Sequence, residues 1–198
     1  MTKSANARAM LEMGRDLSSD EYKEVVAELL GGVDSYKELG TPLYLAVCQH
    51  CWGIYFESVA LRNNANGILK VFMTKRDETD PDWQGYWHVP GTALRYGDTH
   101  ETAVARLAKE YGVPIVSFER VDDAGVGFFK KGDTGRGPGM SLIHVTKLNG
   151  EPALNKRRGW FDVRDLPVPT VPSHVSVIIP RANQAYSRIE FSEATGGR

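Results

Sequence analysis

The sequence lacks the features that mark secreted, membrane and nucleic-acid-binding proteins. It has only two cysteines, Cys48 and Cys51, and no uncharged apolar run of about 18 residues, the length that a membrane span needs. The start, "MTKSANARAMLEMGRDLSS", is interrupted by Arg8, Glu12 and Arg15, so it has no apolar core of a signal peptide. The net charge is −1, with no basic block. We therefore expect a cytoplasmic protein whose main partner is neither nucleic acid nor a membrane.

The two cysteines lie in the segment "CQHC". A C-x-x-C motif is redox-active in some proteins and forms half of a zinc site in others. A four-ligand zinc site needs two more ligands at suitable spacing, and none follows, although His50 lies inside the motif. We interpret Cys48 and Cys51 as two small thiols in a partly buried segment, with a redox pair as the alternative.

The first 40 residues are predicted to form a helical extension, followed by a domain over residues 41–198. In "SSDEYKEVVAELLGG", Ser18 and Glu21 have the spacing of a capping box, and Gly31 and Gly32 end the pattern. The apolar residues of this helix recur on one face: Val25, Val26, Leu29 and Leu30. Such a face must pack against this domain or against a second copy of the chain.

The rest of the chain alternates between strand and helix patterns. Two strand patterns, "GIYFESVALR" and "ILKVFMTKR", are joined by the hairpin-type turn "NNANG". A helix is predicted over 99–111, then further strands, and a final helix in "PSHVSVIIPRANQAYSRI" that Pro180 interrupts. Strands on both sides of a central helix, with a helix at the end, predict an α/β fold with a mixed sheet and helices on both faces.

Four segments resemble landmarks of the Nudix hydrolase superfamily. "WHVPG" (87–91) resembles the strand that enters the Nudix loop, and "YGD" (96–98) matches the Gly-Glu that closes it, with Asp in place of Glu. "ETAVARLAKEYGV" resembles the helix that follows, and "GWFDVRDLP" (159–167) resembles a late strand, after which His174 matches a position in the terminal helix. The resemblance implies an α/β/α sandwich. It also implies helix glutamates that hold Mg²⁺ or Mn²⁺, which bridge a diphosphate and activate water.

The helix departs from the family pattern G-x5-E-x7-R-E-apolar-x-E-E-x-G-apolar. Thr92 stands where the second loop glycine is expected, and the helix is one residue short between Asp98 and Gly112. Counting forward from Asp98, the three acid positions hold Leu107, Glu110 and Tyr111. Counting back from Gly112, they hold Arg106, Lys109 and Glu110. In either register one carboxylate remains.

Helical phase favours the second register. At about 100° per residue, one side of the helix is apolar and is expected to face the core. Its members are Val104, Leu107, Ala108 and Tyr111. The second register keeps the metal positions away from this side.

The resemblance and the charges together predict which residues form the site. Glu110 is the candidate catalytic residue, and Glu110, Asp98 and Glu101 are the candidate metal ligands. Phosphate or ligand contacts are expected from a second set: Arg106, Lys109, Gly91, Gly97, and Lys130 and Arg136 of the glycine-rich loop "FFKKGDTGRGPGMS". A cation in place of a carboxylate opposes metal binding but neutralises a phosphate directly. The alternative is that Arg106 and Lys109 are an ordinary solvated face and that the loop is a hairpin tip.

Several aromatic and histidine side chains accompany these segments. The aromatic residues Trp83, Tyr86, Trp87 and Tyr96 flank the expected pocket mouth, where one could stack on a nucleobase while most belong to the core. His88 and His144 lie in predicted strands, which favours ordinary core or edge positions over a role as a general base.

Three functional hypotheses follow. The first is a protein that binds a small nucleotide-like, pyrophosphate-containing ligand of the nucleoside-diphosphate type, with a degraded hydrolysis site and no cofactor. The second is an active phosphohydrolase on such compounds, using Glu110, displaced ligands and Mg²⁺ or Mn²⁺. The third is an interaction protein whose N-terminal helices form a homodimer or dock a partner.

Overall fold

The computed structural model describes residues 53–80, 82–95, 97–121, 126–129 and 139–194. The first part contains β1 (Gly53–Asn63), β2 (Leu69–Lys75), β3 (Trp87–His88), β4 (Gly91–Ala93) and helix α1 (His100–Tyr111). The second part contains β5 (Ile115–Arg120), β6 (Val126–Phe129), β7 (Gly139–Leu148), β8 (Arg158–Asp162), a π-helical turn (His174–Ile178) and helix α2 (Ile179–Ala194).

The strands of the described residues form one mixed sheet. Its central order is β3-β2-β1-β7-β5, while β4 pairs with β1, β6 with β7 and β8 with β2. β1 runs parallel to β7 and antiparallel to both β2 and β4. Its first half pairs with β4 and its last three residues pair with β2. β1 therefore divides the sheet, and the loop that joins β3 to β4 crosses the division.

The side chains of β1 alternate between two cores because successive residues of a strand point to opposite faces. Val59 and Leu61 pack in one core with Ile179 and Ala182 of α2. Phe56 packs on the other face with Ala103 and Leu107 of α1. On that second face Ala60 and Phe72 also enclose Tyr111. Each large apolar side chain buried in this way contributes roughly 1.5–3 kcal/mol. The predicted mixed sheet with helices on both faces is confirmed.

Helix α1 begins and ends where its sequence supplies caps. Thr99 accepts a hydrogen bond from the backbone N–H of Thr102, and the Thr102 side chain accepts one from the backbone N–H of Thr99. Gly112 ends the helix in the left-handed conformation, with φ of 75°. Leu107 and Tyr111 are buried as predicted, whereas Ala103 takes the third buried position and Val104 and Ala108 are only partly buried.

The turn between β1 and β2 forms the predicted hairpin. The backbone N–H of Asn64 donates to the carbonyl of Ile68, and that of Gly67 donates to the carbonyl of Asn64. Gly67 has φ of 72°, a conformation that costs glycine little. The segment "NNANG" therefore sets the register of the first two strands.

The C-terminal helix corrects the prediction that Pro180 interrupts it. α2 passes through Pro180, its second residue, and the irregularity lies before it, in the π-helical turn His174–Ile178. The backbone N–H of Ile179 reaches back five residues to the carbonyl of His174. A proline has no N–H to donate, and the first turn of a helix tolerates this.

Several predictions fall outside the described residues. These are the helical extension over 1–40 and its boundary at residue 41, the cysteine pair, and the basic residues Lys130 and Arg136. Among the helices that the structure describes, none is both long enough and apolar enough to cross a membrane.

Candidate functional site

Arg106 of α1 clamps the loop that precedes the helix. Its Nη1 and Nη2 donate to Oδ1 and Oδ2 of Asp98, each at 2.6 Å. Nη2 also donates to the carbonyl of Ala93 at 3.0 Å, and Nε donates to Oγ1 of Thr92 at 3.1 Å. All three nitrogen atoms of the guanidinium thus donate hydrogen bonds. The Arg106 guanidinium therefore ties the loop to helix α1.

The clamp changes what Asp98 can do. The hydrogen bonds from Arg106 hold the pKa of Asp98 far below its usual range, against the opposing effect of burial. The side chains are only 12% exposed for Asp98 and 25% for Arg106, so the pair is partly shielded from water. A metal ion that used Asp98 would compete with a two-point guanidinium contact.

Glu110 lies near the other end of α1, in a different environment. Oγ1 of Thr74 in β2 donates to its Oε1 at 3.2 Å, and Nε2 of His88 lies 3.1 Å from the same hydroxyl. Burial raises the pKa of Glu110 to about 7, although the Thr74 hydrogen bond and the charges of Arg158 and Arg76 oppose the rise. Glu110 can therefore gain or lose a proton near neutral pH.

A row of three residues from three strands supports Glu110. His88 of β3 and Arg158 of β8 are both register partners of Thr74 in β2. Directly opposed residues in antiparallel strands point to the same face of a sheet. Arg158 also donates through Nη2 to the backbone carbonyl of Glu110. The sheet thus presents an imidazole, a hydroxyl and a guanidinium side by side beneath the end of α1.

Gly91, where β4 begins, has a carboxylate close to it. A Cβ atom at this position would lie 2.7 Å from Oε2 of Glu57, closer than real contacts allow. Ser141 of β7 donates to Oε1 of Glu57 at 3.0 Å, and the backbone of Gly91 donates to Glu110. The missing side chain of Gly91 therefore makes room for Glu57, while its backbone N–H binds Glu110.

His174 fixes the strand that leads into the loop. The backbone N–H of Val89 donates to its Nδ1 at 3.1 Å. The backbone N–H of Trp87 donates to the carbonyl of Pro169 at 2.8 Å, and that of Val171 donates to the carbonyl of Trp87 at 2.9 Å. His174 is buried, and burial holds its pKa well below the usual value. A neutral ring is required because protonated Nδ1 cannot accept a hydrogen bond.

The remaining nominated residues lie apart from this arrangement. Glu101 is exposed in the first turn of α1, where hydrogen bonding from Thr99 lowers its pKa. Lys109 is exposed on the helix, and Gly97 is exposed with φ of 78°. The structure therefore brings Asp98 together with Arg106 and places Gly91 beside Glu110. Within the described residues, Glu101 and Lys109 form no hydrogen bond or ion pair with either pair.

Three contributors to this arrangement were not nominated from the sequence. They are Glu57, Thr74 and Arg158. The alternation of β2 places Thr74 on the same face as Phe72, but no sequence signal links it to Glu110. The pairing of β2 with β8, which brings Arg158 to the helix end, joins residues more than 80 positions apart.

The donor set does not fit a site in which several helix carboxylates share a divalent cation. Within the described residues, no group of three or more His, Cys, Asp or Glu side chains is placed to hold a metal ion. The chemistry of the side chains agrees, since a hard cation requires several oxygen ligands. Asp98 is bound by a guanidinium, and Glu110 accepts a hydrogen bond from Thr74.

Comparison with known families decides the identity of this fold. A model of the NUDIX domain matches residues 58–181, which include the loop, α1 and the start of α2. The chain belongs to the NUDIX domain family. The resemblance inferred from the loop and helix residues is thereby confirmed. No curated protein matches the chain.

Solved NUDIX structures share the fold at low sequence identity. Shewanella oneidensis NrtR is 18% identical with a TM-score of 0.56, and the match covers 69% of this chain and 64% of that chain. The NUDIX domain of the same protein, complexed with ADP ribose, is 19% identical with a TM-score of 0.51 and covers 82% and 97%. A mutT/nudix family protein from Listeria innocua is 20% identical with a TM-score of 0.50 and covers 70% and 96%. At such identities the likeness establishes the fold alone.

Proposed function

We propose that this NUDIX chain binds a pyrophosphate-containing ligand of the nucleoside-diphosphate type and that its metal-dependent hydrolysis is degraded. Membership of the family supports a ligand of this class. The NUDIX domain of Shewanella oneidensis NrtR, a structural neighbour, is complexed with ADP ribose, which makes ADP-ribose a reasonable first compound to test.

One observation carries the loss of hydrolysis. The two carboxylates that the motif retains near the loop and at the helix end are engaged separately, Asp98 by Arg106 and Glu110 by Thr74. Freeing Asp98 would leave a partly buried guanidinium without its partner, which is costly. Lys109 adds a cation in the position of an acid, and Coulomb repulsion opposes a nearby metal ion.

Phosphate binding without a metal requires cations near the loop. Lys109 is exposed, and Lys130 and Arg136 are further candidates from the sequence. One N–H of Arg106 lies outside its four recorded hydrogen bonds and could reach a ligand oxygen. The ligand is therefore expected to bind equally well with and without a chelator.

Glu110 supports a second candidate function, an active phosphohydrolase with displaced ligands. A pKa of about 7 suits a general base or acid at neutral pH. The carboxylate of Glu57 beside Gly91 is a nearby acid that the helix motif does not supply. In this case Asp98 or Glu101 would leave its present partner, and Mg²⁺ or Mn²⁺ would be required.

The experiment measures binding and turnover together. A panel that includes ADP-ribose and sugar-linked nucleoside diphosphates is titrated into the full chain by calorimetry, with EDTA, Mg²⁺ or Mn²⁺. Release of phosphate or monophosphate is followed on the same samples. We expect the same ligand affinity with and without EDTA, and no release of phosphate or monophosphate. Glu110→Gln and Glu119→Gln, the latter at an exposed position of β5, serve as a matched pair of variants.

Two results would decide against the proposal. Metal-dependent turnover that Glu110→Gln abolishes and Glu119→Gln preserves would establish the second candidate. Absence of binding across the whole panel would remove the ligand class itself and leave the interaction hypothesis.

A further inference from the structure

The aromatic residues that the sequence predicts near the pocket lie in different environments in the structure. Trp87 packs against the larger core, with its ring 4.8 Å from that of Phe161. Tyr96 lies outside the described residues. Trp83 and Tyr86 lie in the loop between β2 and β3, with ring centroids 5.2 Å apart. Only Trp83, among these, combines an unusual backbone with an unusual side-chain environment.

The backbone of Trp83 is held in the left-handed region. Its φ is 55°, and among the described residues it is the single non-glycine residue with a positive φ. A bulky side chain in this region is strained, and such residues persist only where their surroundings enforce them. The carbonyl of Trp83 accepts a hydrogen bond from the backbone N–H of Tyr86 at 3.0 Å, which closes the turn.

The side chain of Trp83 carries a second cost. Its indole Nε1 is buried and has no hydrogen-bond partner among the described residues. A buried indole N–H normally finds an acceptor, and leaving a donor unpaired is unfavourable. Strain in the backbone and an unmade hydrogen bond therefore coincide in one residue, and both would be relieved by a change of position.

The loop that carries Trp83 is tied to the surroundings of Glu110. Nη1 of Arg76 donates to both carboxylate oxygens of Asp80 at 3.2 Å and contacts the carbonyl of Asp82, the residue before Trp83. The charge of Arg76 also lowers the pKa of Glu110. The strands at the two ends of the loop contain Thr74 and His88, the hydroxyl and imidazole beneath Glu110.

We propose that Trp83 is the residue that contacts the aromatic base of the nucleoside-diphosphate-type ligand. On ligand binding the indole leaves its strained position, stacks on the base and places its N–H against an acceptor. Every nucleobase offers a π-face to such a ring. This inference rests on the proposed function, since it names the residue that reads the base at the same site.

The experiment compares ligands with and without a base on the full chain. ADP-ribose and the UDP- and GDP-linked sugars are titrated by calorimetry beside inorganic pyrophosphate, which has no base. The variants are Trp83→Ala, Trp83→Phe and Trp83→Gly, with Trp160→Phe as the control because Trp160 contacts Arg62 and Phe72 elsewhere. Tryptophan fluorescence is recorded on the same titrations.

The proposal expects Trp83→Ala to weaken the best base-bearing ligand on the order of tenfold or more, with pyrophosphate affinity unchanged. Trp83→Phe should lose less, because it keeps a ring. Trp83→Gly should bind as weakly as Trp83→Ala yet melt at a higher temperature, because glycine accepts a positive φ. The fluorescence change on ligand binding should vanish in Trp83→Phe and persist in Trp160→Phe.

Three results would overturn the inference, and they are distinguishable. If Trp83→Ala binds a ligand as tightly as the natural chain does, Trp83 does not contact the base, and the proposed function still stands. An equal loss for pyrophosphate would mean that Trp83 shapes the whole site and does not read the base. No binding of any compound by the natural chain would remove the proposed function and this inference together.

Discussion

Glu110 illustrates how the surroundings of one carboxylate change its chemistry. From the sequence it is the acid expected at the helix motif under either register. In the structure burial raises its pKa from an ordinary 4.5 to about 7. The folded state therefore binds a proton more tightly than the unfolded chain does. Stability is greatest below pH 4.5 for this group and falls as the pH rises through 7.

Glu110→Gln should remove this dependence. The displacement of the pKa corresponds to roughly 3 kcal/mol of stability lost between pH 4.5 and pH 8. We therefore expect the difference in unfolding free energy between the variant and the natural chain to shift in favour of the variant from pH 5 to pH 8. Urea unfolding at the two pH values measures the difference. An identical difference in unfolding free energy at both would mean that Glu110 titrates normally.

The titration of His144 should make the stability of the protein depend on pH in the opposite direction. It is buried, its ring stacks on Phe118 at 4.0 Å, and burial lowers its pKa from 6.5 to about 4. The unfolded chain binds this proton more readily, so stability present above pH 6.5 is lost as the pH falls to 4. His144→Phe should keep the stacking and reduce the loss by up to roughly 3 kcal/mol. Thermal unfolding from pH 4 to pH 7.5 tests this, and parallel curves for the two proteins would contradict it.

At the scale of elements, the pair of Asp98 and Arg106 joins a loop to a helix. Leu94 packs against the core at the start of the loop between β4 and α1, and the clamp and the cap at Thr99 hold the end of the loop to the helix. A two-point, charge-assisted contact between partly buried groups is stronger than an exposed ion pair.

A double-mutant cycle on this pair should give a coupling energy of about 1–3 kcal/mol. Asp98→Asn and Arg106→Gln are combined, and unfolding free energies of the four proteins are compared. The costs of the two single variants should add up to more than the cost of the double variant, because each single variant leaves one partly buried group unpaired. Strict additivity would show that Asp98 and Arg106 have no energetic coupling.

At the scale of the whole molecule, the sequence predicts helices over residues 1–40, ahead of the NUDIX domain. The sequence gives them an apolar face that needs a partner. The interaction hypothesis predicts that deleting residues 1–38 converts a dimer to a monomer on a sizing column with light scattering. A monomer before and after the deletion would discard it, and a dimer in both cases would move the interface to the NUDIX domain.

The fold was predictable because its signals are local. Strand alternation in β1, the turn "NNANG", and the caps of α1 each depend on neighbouring residues and on the period of one element. The loop and helix residues were enough to recognise the family. Pro180 was misjudged because the wide turn that precedes it, and the position of proline in the first turn of α2, depend on where the helix begins.

The α/β class, the family resemblance, the apolar side of α1 and the small number of carboxylates on that helix could all be inferred from the order of residues. Tertiary structure alone decided that Arg106 is bound to Asp98, that Glu110 rests on Thr74, and that Arg158 reaches the helix end. The physical reason is the range of the interactions. Periodicity acts over a few residues, whereas the charge and burial of a side chain depend on strands that meet only when the sheet has formed.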